Sequence, residues 1–522
     1  MAPERSLLPK LSAATRGAQE ALRALAHPQD MALSLVELER DGFRPLRKCF
    51  SEPAPRYAGR VRERGLVRQA QAEGAWATLE RKVSFTSAEA SSGAEAVVVV
   101  DPFSSGALIA AGLAARGYRV IRCFSEPDSP VSGLVQDGVA VNFDATLTLP
   151  QMDDKKEAAA ELAQSIKAMP WRTVSCLPGA ETGVLLADQL AAALGLRGNP
   201  LELSVARRNK YVMGETVRAA GLRAVKQLRA TAWPEVEAFL EEWNPSPFLA
   251  VVKPIESAGT DDVFKCTSVA DVRKAFETIN GKINGLGTVN EGVLVQEFLA
   301  GTEYVVDSVS RDGVHKTLAL WEYDKRSVND ANFVYFGMAL LGVSSERGQA
   351  LIEYSNRVLD ALGFVNGPGH MEVMWLDAES QPCLVEVGSR CHGGEGTWQP
   401  IAQECVGHDQ ITSTLDVYVD PDAFDALPLQ PTEMKKYGRE VFLVARQNGV
   451  CASLPGVAEI RAMRSFRKLD MHVQPGSTVV PTIDCFTRPG SVQLVHEDEA
   501  VVLADHARIR ALEVTGLFEF SR

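Results

Sequence analysis

The alternation of apolar and polar positions changes character several times along the chain, and each change marks an element. The first clear one is the run AVVVV at 96–100. A strand with one face in water alternates, so an unbroken apolar run reads as a strand covered on both faces. The turn DPFSSG and an apolar-striped segment follow, and YRVIRCF at 118–124 is a second strand. Strand, helix and strand in that order form a unit with a parallel sheet. TVSCLPGAETGVLLADQLAAALGL at 173–196 repeats the pattern. An open α/β domain over 94–200 is the expectation.

Ahead of it, residues 1–93 read as an extension of unclear role. It has a helical start, a strand pair around ALSLVELERDGFRPLRKCF and the polar linker SAEASSGAE. Beyond the α/β domain, RRNKYVMGETVRAAGL is a basic helix ending at Gly221, and FLAVVKPIESAGTDDVFKC is a strand that enters a Gly/Ser loop and leaves as another. GVLVQEFLAGTEYVVDSVS holds two strands joined at Ala300-Gly301. From 421 onward strands dominate, with turn marks at QNG, LPG, QPGS and RPGS.

One hairpin raises a chemical question. GHMEVMWLDAESQPCLVEVGSRCHGG, at 369–394, has two alternating runs, 370–376 and 382–388, around a turn centred on Glu379. That register sets Glu372 opposite Glu386, with Cβ atoms ~5 Å apart and like charges repelling. His370, Met374 and Leu384 share their face in this register, so it is half buried. Two unpaired carboxylates there cost several kcal/mol, or one takes up a proton. A hard divalent cation resolves the conflict, and carboxylates with nucleotide phosphates are a usual Mg²⁺ ligand set. Arg390 lies on the same face, placed for a bidentate grip on an oxyanion.

Lys253 ends an apolar strand beside the small residues Ser257, Gly259 and Thr260, where backbone N–H groups can approach a polyphosphate. A solvated Lys-Pro turn is the alternative. Lys210 starts its helix next to Arg207 and Arg208, and an exposed charge is its alternative. Phe298 and Leu299 offer an apolar slot for a purine, with Glu303 able to accept from ribose hydroxyls; a charged hairpin edge competes with that reading.

The chain has 522 residues, 46% hydrophobic and 23% charged, and a formal net charge of −13, so its surface repels nucleic acid. No apolar run approaches the ~20 residues that cross a bilayer, and the default compartment is the cytoplasm, with an organelle-targeting helix at KLSAATRGAQEALRALAHP as the alternative. Nine cysteines without regular spacing fit reduced thiols. Neither a Walker A loop nor a strand-borne Gly-x-Gly-x-x-Gly is present.

In this order the blocks LPGAETGVLLADQLAAALGLRGN, RRNKYVMGETVRAAGL, VVKPIESAGTDDV, VQEFLAGTEYVVD and HMEVMW…LVEVGSR resemble the ATP-grasp superfamily. Within it the chain is similar to the carboxylate–amine ligases of the L-amino acid (dipeptide) ligase and carnosine synthase kind. The resemblance spans 94–522 and implies an α/β and α+β ATP-grasp fold. Its parts are a pre-ATP-grasp α/β domain (94–200), a two-lobed ATP-binding domain (201–420) and a small β-rich C-terminal domain (421–522). It implies ATP and one or two Mg²⁺ ions as cofactors, and an amide bond formed through an acyl phosphate with release of ADP and phosphate. A carboxylase or purine-pathway ligase and a non-catalytic ATP sensor are the alternatives.

Carried over by position, Lys210 and Lys253 match the phosphate-binding lysines, and Ser257, Gly259 and Thr260 match the mobile lid. Gln296, Phe298 and Leu299 match the adenine hinge, Glu303 the ribose position, and Glu372 and Glu386 the metal carboxylates. Arg390 matches the arginine that steadies the acyl phosphate. Gly388 departs from the family's Asn, which puts the second metal in question. Substrate candidates are His392, Glu395, Trp398, Glu322 and Lys325, beside Arg326; for His392 and Trp398 the competing reading is a hydrogen-bonded loop histidine and core, and for Glu395 a helix cap. Cys391 has no part in a route that needs no thiol. The partners implied are small-molecule carboxylate and amine substrates, with a homodimer as the common state of related ligases.

Overall fold

The structure is a computed structural model that describes residues 93–126, 141–257, 260–285 and 287–521. The expectations for residues 1–92 lie outside the described residues. Among the described residues no helix is long and apolar enough to cross a membrane.

β1 (Glu95–Val100), β2 (Arg119–Phe124), β3 (Ala145–Thr148) and β4 (Arg172–Pro178) form a parallel sheet in the order β3-β2-β1-β4. The valines of β1 are fully buried, as their unbroken run requires. Helices Ser105–Ala115 and Lys155–Lys167 connect strands of this sheet, and Val184–Leu194 follows β4.

A smaller antiparallel sheet, β5-β8-β6-β7, comes next, built of β5 (Gln227–Ala230), β6 (Ala250–Pro254), β7 (Phe264–Cys266) and β8 (Val293–Glu297). Helices Trp233–Trp243 and Val269–Ile279 bury Val236, Leu240, Val272, Phe276 and Ile279 in one cluster with its strands.

The chain then enters an antiparallel sheet of eight strands, with β9 (Thr302–Arg311), β10 (Val314–Val328), β11 (Ala331–Leu341), β12 (Gly367–Leu376), β13 (Gln381–Gly388) and β14 (Tyr437–Phe442). β15 (Gly449–Ser453), β17 (Thr478–Val479) and β19 (Glu519–Phe520) make a small separate sheet, whereas β16 (Phe466–Met471) and β18 (Gly490–His496) return to the large one. Its order is β13-β12-β9-β10-β11-β14-β18-β16. The C-terminal strands therefore continue the sheet that carries the glutamate hairpin, and that region also holds the helix Glu499–Thr515.

Glu372 does pair with Glu386, but the register slips by one residue between Glu372 and Val373, so that Val373 faces Leu384. A bulge flips everything beyond it to the other face. Leu384 is therefore not on the glutamate face: with Val373 it packs in the core beneath the helix Glu346–Ala361.

The step from the small sheet to the large one passes through Gly301, where a Cβ would lie 1.8 Å from the backbone oxygen of Trp375. Nothing larger than a hydrogen fits against β12 there. Gly301→Ala is expected to push β9 and β12 apart and destabilise the protein by ~1–3 kcal/mol, read as a lower denaturant midpoint.

Candidate active site

Alternation along β9, β10, β12 and β13 puts Glu303, Lys325, Glu372 and Glu386 on one face of the large sheet. The Lys325 Nζ lies 2.6 Å from Glu303 Oε1 and 3.5 Å from Glu372 Oε2. It also sits 4.9 Å from the Tyr323 ring centre and 4.4 Å from that of Tyr335. Burial would lower the Lys325 pKa, but the two carboxylates outweigh it and hold the ammonium above its ordinary range. Burial pushes Glu303 up to about 7, with Lys325 acting against it and Glu372 adding to it. Glu372 goes the other way: Lys325 and His370 outweigh burial and keep it ionised.

Lys210 is the first residue of the helix Lys210–Ala219 because Asn209 caps it, accepting from the N–H groups of Tyr211 and Val212. Its Nζ reaches Glu386 Oε2 at 3.1 Å and donates to the Ser257 carbonyl at 2.6 Å. Lys253, 6% exposed at the end of β6, faces the same carboxylates. Burial pulls its pKa down to about 8, Glu386 opposing and Lys210 assisting. The basic stretch before Lys210 is not a solvated patch: Arg207 is fully buried, 2.8 Å from Asp188 and bonded to the carbonyls of Pro200, Leu362 and Gly363.

Behind this row stands Asp307, 1% exposed, which accepts from His370 Nδ1 at 2.8 Å, His392 Nδ1 at 3.0 Å and Trp321 Nε1 at 2.9 Å. Burial works against its ionisation, and the His392 and His370 contacts override it. Asp307, His370 and His392 are a convergent donor set among the described residues. Both Asp307 oxygens are already engaged, which makes the group a hydrogen-bonded brace. His370 Nε2, 3.8 Å from Glu372 Oε1, links it to the glutamate row.

Arg390 Nε lies 3.0 Å from Glu181 Oε2, and Arg208 Nη1 is 3.8 Å from Glu181 Oε1. A Cβ on Gly388 would meet Arg390 Cζ and Glu181 Oε2, both at 2.8 Å. The space a side chain at 388 would need is thus filled by this ion pair.

Not every candidate lands in the site. Glu322 points to the opposite face from Lys325, on the side of its strand partners Tyr304 and Ala339, because strand neighbours alternate. Arg326 pairs with Asp324 at 2.7 Å in the exposed part of β10. Trp398 is core, 1% exposed, with its Nε1 donating to the carbonyls of His392 and Gly393. His392 stacks on Trp398 with ring centres 5.2 Å apart, and burial, with His370, drives its pKa down to about 4. Glu395 caps no helix and pairs with Arg488 at 3.1 Å. Glu303 is held by Lys325 and is no free edge carboxylate. Burial pushes the Cys391 thiol up to about 12, which leaves it inert.

The lid and hinge candidates are tied locally. Ser257 donates to Asp261 Oδ2 at 2.7 Å, which also accepts from the Gly285 N–H at 2.6 Å, and Thr260 has φ 62; Gly259 lies outside the described residues. Gln296 donates its side-chain amide to Gln227 at 2.9 Å. The Phe298 ring is 6.4 Å from that of Phe333 and lies under Lys265 at 4.2 Å, while Leu299 packs against Val225, Leu376 and Cys383. Sequence reasoning missed Asp307, Glu181, Arg208, Tyr323 and Tyr335. The block PGAETG was the signal for Glu181; Asp307, Tyr323 and Tyr335 had none until their strands were paired, and Arg208 none until its loop met Glu181.

Residues 246–399 match the ATP-grasp domain. Dapdiamide A synthase of Enterobacter agglomerans is 32% identical over 352 residues, 66% of this chain and 80% of that protein. The chain belongs to the ATP-grasp ligases. The ATP-grasp ligase is also 25% identical to the alanine–anticapsin ligase of Bacillus subtilis (strain 168) over 43% of its own length and 49% of that protein. Its fold matches the crystal structure of an L-amino acid ligase from Bacillus licheniformis with a TM-score of 0.63 at 17% identity, covering 82% of this chain and 99% of that one. The ADP complex of N5-carboxyaminoimidazole ribonucleotide synthetase shares the fold at a TM-score of 0.57 and 15% identity, covering 81% of this chain and 97% of that one. The enzyme is an ATP-dependent, ADP-forming ligase.

Because Glu303 and Glu372 share one ammonium, Lys325→Met is expected to destabilise the enzyme by ~3 kcal/mol or more, measured by denaturant unfolding. Adding Glu303→Gln removes one of the stranded charges and should recover part of the loss.

Proposed function

We propose that this ligase joins the carboxylate of one amino acid to the amine of another, by way of an acyl phosphate. The observation that carries the reading is the Lys210–Glu386 contact beside the Glu372–Glu386 strand pair, with Lys253 and Arg390 within electrostatic reach of both glutamates. The relatives named for dapdiamide and for alanine–anticapsin support the amino-acid class of substrate.

Glu372 and Glu386 are cross-strand partners, with Glu303 beside Glu372, and carboxylates of this kind suit a hard cation such as Mg²⁺. Glu372 and Glu386 would hold it. Bound with the nucleotide, it would neutralise charge developing on the transferred phosphoryl group. Gly388 supplies no ligand, and the Glu181–Arg390 pair leaves no room for one.

Lys253 and Lys210 bind the phosphates of ATP, and Gln296 with the backbone of Phe298 and Leu299 receives the adenine at the turn from the small sheet to the large one. The substrate carboxylate attacks the γ-phosphorus, forming an acyl phosphate and ADP. Arg390, oriented by Glu181, takes the acyl-phosphate oxygens and then the oxyanion of the tetrahedral intermediate. The amine forms the C–N bond and phosphate leaves. Lid residues Ser257 and Thr260 keep water from the acyl phosphate, which would otherwise hydrolyse. The likeness to carboxyaminoimidazole ribonucleotide synthetase is one of fold. Retention of Glu372, Glu386 and Arg390 speaks against a protein that only senses ATP.

ADP release, followed with pools of amino acids offered in pairs, is expected to depend on both members of a pair. Glu386→Gln should abolish it with the fold intact, and release that ignores the second member would refute amide formation.

Lys253 gives a pH signature. Its pKa of about 8 lies below the ordinary 10.5, so near pH 8 half the population is neutral. Of the groups around it, Glu386, Glu372 and Glu303 favour the charged form and Lys210 opposes it. A polyphosphate also favours the charged form, so ATP binding should take up protons at pH 8 and few at pH 6. Titration calorimetry in buffers of different ionisation heat measures this, and Lys253→Arg should remove the uptake.

A further inference from the structure

The glutamate face continues beyond the residues assigned above. Tyr323 and Tyr335 have ring centres 5.2 Å apart, and Tyr335 is followed across the sheet by Phe442 on β14, at 6.3 Å. Arg488, just before β18, lies over the Phe442 ring with Cζ 4.6 Å from its centre. This aromatic floor runs from Lys325 to Arg488; Phe442 lies two strands from Lys325, ~10 Å across the sheet.

The loop that starts at Arg390 follows the same course. At one end is Arg390, paired to Glu181. Five residues on, Glu395 meets Arg488, with its Oε2 3.1 Å from Arg488 Nη2. Glu395 adopts φ 55 between Gly394 and Gly396, both also at positive φ, so a side chain is kept where glycine is the unstrained choice. Arg488 is 8% exposed and its Nε has no hydrogen-bond partner. The fully buried Glu440 beside it accepts from Thr397 with one oxygen and has its other oxygen unpartnered. A buried guanidinium with unused donor capacity is costly unless something completes it.

We infer that Arg488, oriented by Glu395, binds the carboxylate of the amine-donating substrate, so that the nucleophile is an amino acid lying across the Tyr323–Tyr335–Phe442 floor with its amine toward Arg390. The inference rests on the amide-forming reading above and adds which end of the second substrate is recognised, and where. A guanidinium offers a planar two-pronged match to a carboxylate that an ammonium does not. Glu395 holds the fork in place and would repel a carboxylate that approached without it.

The test compares each of several free amino acids with its own primary amide as nucleophile, at saturating ATP and acyl donor, by ADP release and product mass. Wild type should prefer the free acid. Arg488→Gln should raise the KM of the free acid ~10–100-fold, leave the KM of the amide and of ATP within about two-fold, and so erase the preference; Arg488→Lys should restore part of it. Because Arg488→Gln strands Glu395, the double variant Arg488→Gln/Glu395→Gln is measured beside it, with thermal melting and ATP affinity as checks of folding, and should show the same lost preference. A wild type indifferent to the amide, or variants that keep the wild-type ratio, would overturn the inference while leaving amide formation standing. ADP release that needs no amine at all would overturn the amide-forming reading, and this inference with it.

Discussion

The centre of this protein depends on several charges sharing one poorly hydrated sheet face. Isolated carboxylates would lose several kcal/mol of solvation there or take up protons. Every one in the row has a cation: Lys325 between Glu303 and Glu372, Lys210 on Glu386, Arg390 and Arg208 on Glu181, and His370 on Asp307, to which His392 adds a hydrogen bond. The repulsion between Glu372 and Glu386 that the hairpin poses is thus offset within the polypeptide. Glu303 and Glu372 divide the strain unequally, one pushed toward neutrality and the other kept ionised. Sheet order makes this possible, because β13, β12, β9 and β10 are adjacent and present Glu386, Glu372, Glu303 and Lys325 in sequence.

The same constraint joins parts of the chain that are distant in sequence. Glu181 follows β4 of the parallel sheet, Arg390 follows β13 of the large sheet, and their contact fills the space beside Gly388. A side chain at 388 would have to displace one member of a buried ion pair, so the glycine and the pair belong together. Arg223 does a similar job at the turn between the two sheets, bonding Glu297 at the end of β8 and Glu379 at the tip of the hairpin. Both links tie loops to sheets through guanidinium forks, whose planar geometry fixes direction as well as distance.

Legibility in the sequence follows the range of each interaction. The unbroken apolar run of β1, the helix start at Lys210 and the pairing of Glu372 with Glu386 across one short hairpin depend on nearby stretches of chain, and all could be read from it. The bulge beyond Glu372 could not, because it is set by the fit of Val373 and Leu384 into the core under a helix that lies earlier in the chain. Glu322 and Lys325 looked alike as charges on one strand, and only strand pairing separates the face that meets Glu303 from the face that does not. Asp307 reads in sequence as one acid among valines and serines; its weight comes from two histidines 63 and 85 residues away. The role of Glu395 changed for the same reason, since its partner Arg488 is 93 residues on.

Lys210 illustrates how, on the proposed reading, a site already full of ion pairs takes a nucleotide. It bridges Glu386 on the large sheet and the Ser257 carbonyl in the loop after β6 of the small one. On the proposed reading, a metal held by Glu386 would leave the Lys210 ammonium for the phosphates, and both partners would exchange one contact for another. Binding is then an exchange of partners among groups that are already desolvated. Much of the hydration cost that opposes charge burial has been met in folding, and the energy of the new contacts is available to hold the reacting groups in line. On the same reading Lys253 acts from the other wall: burial and Lys210 depress its pKa against the pull of the carboxylates, and an arriving polyphosphate would raise it. Under the proposed assignment Lys210 serves both states, pairing with Glu386 at rest and with the triphosphate when it binds, so resting stability and nucleotide binding draw on a shared charge.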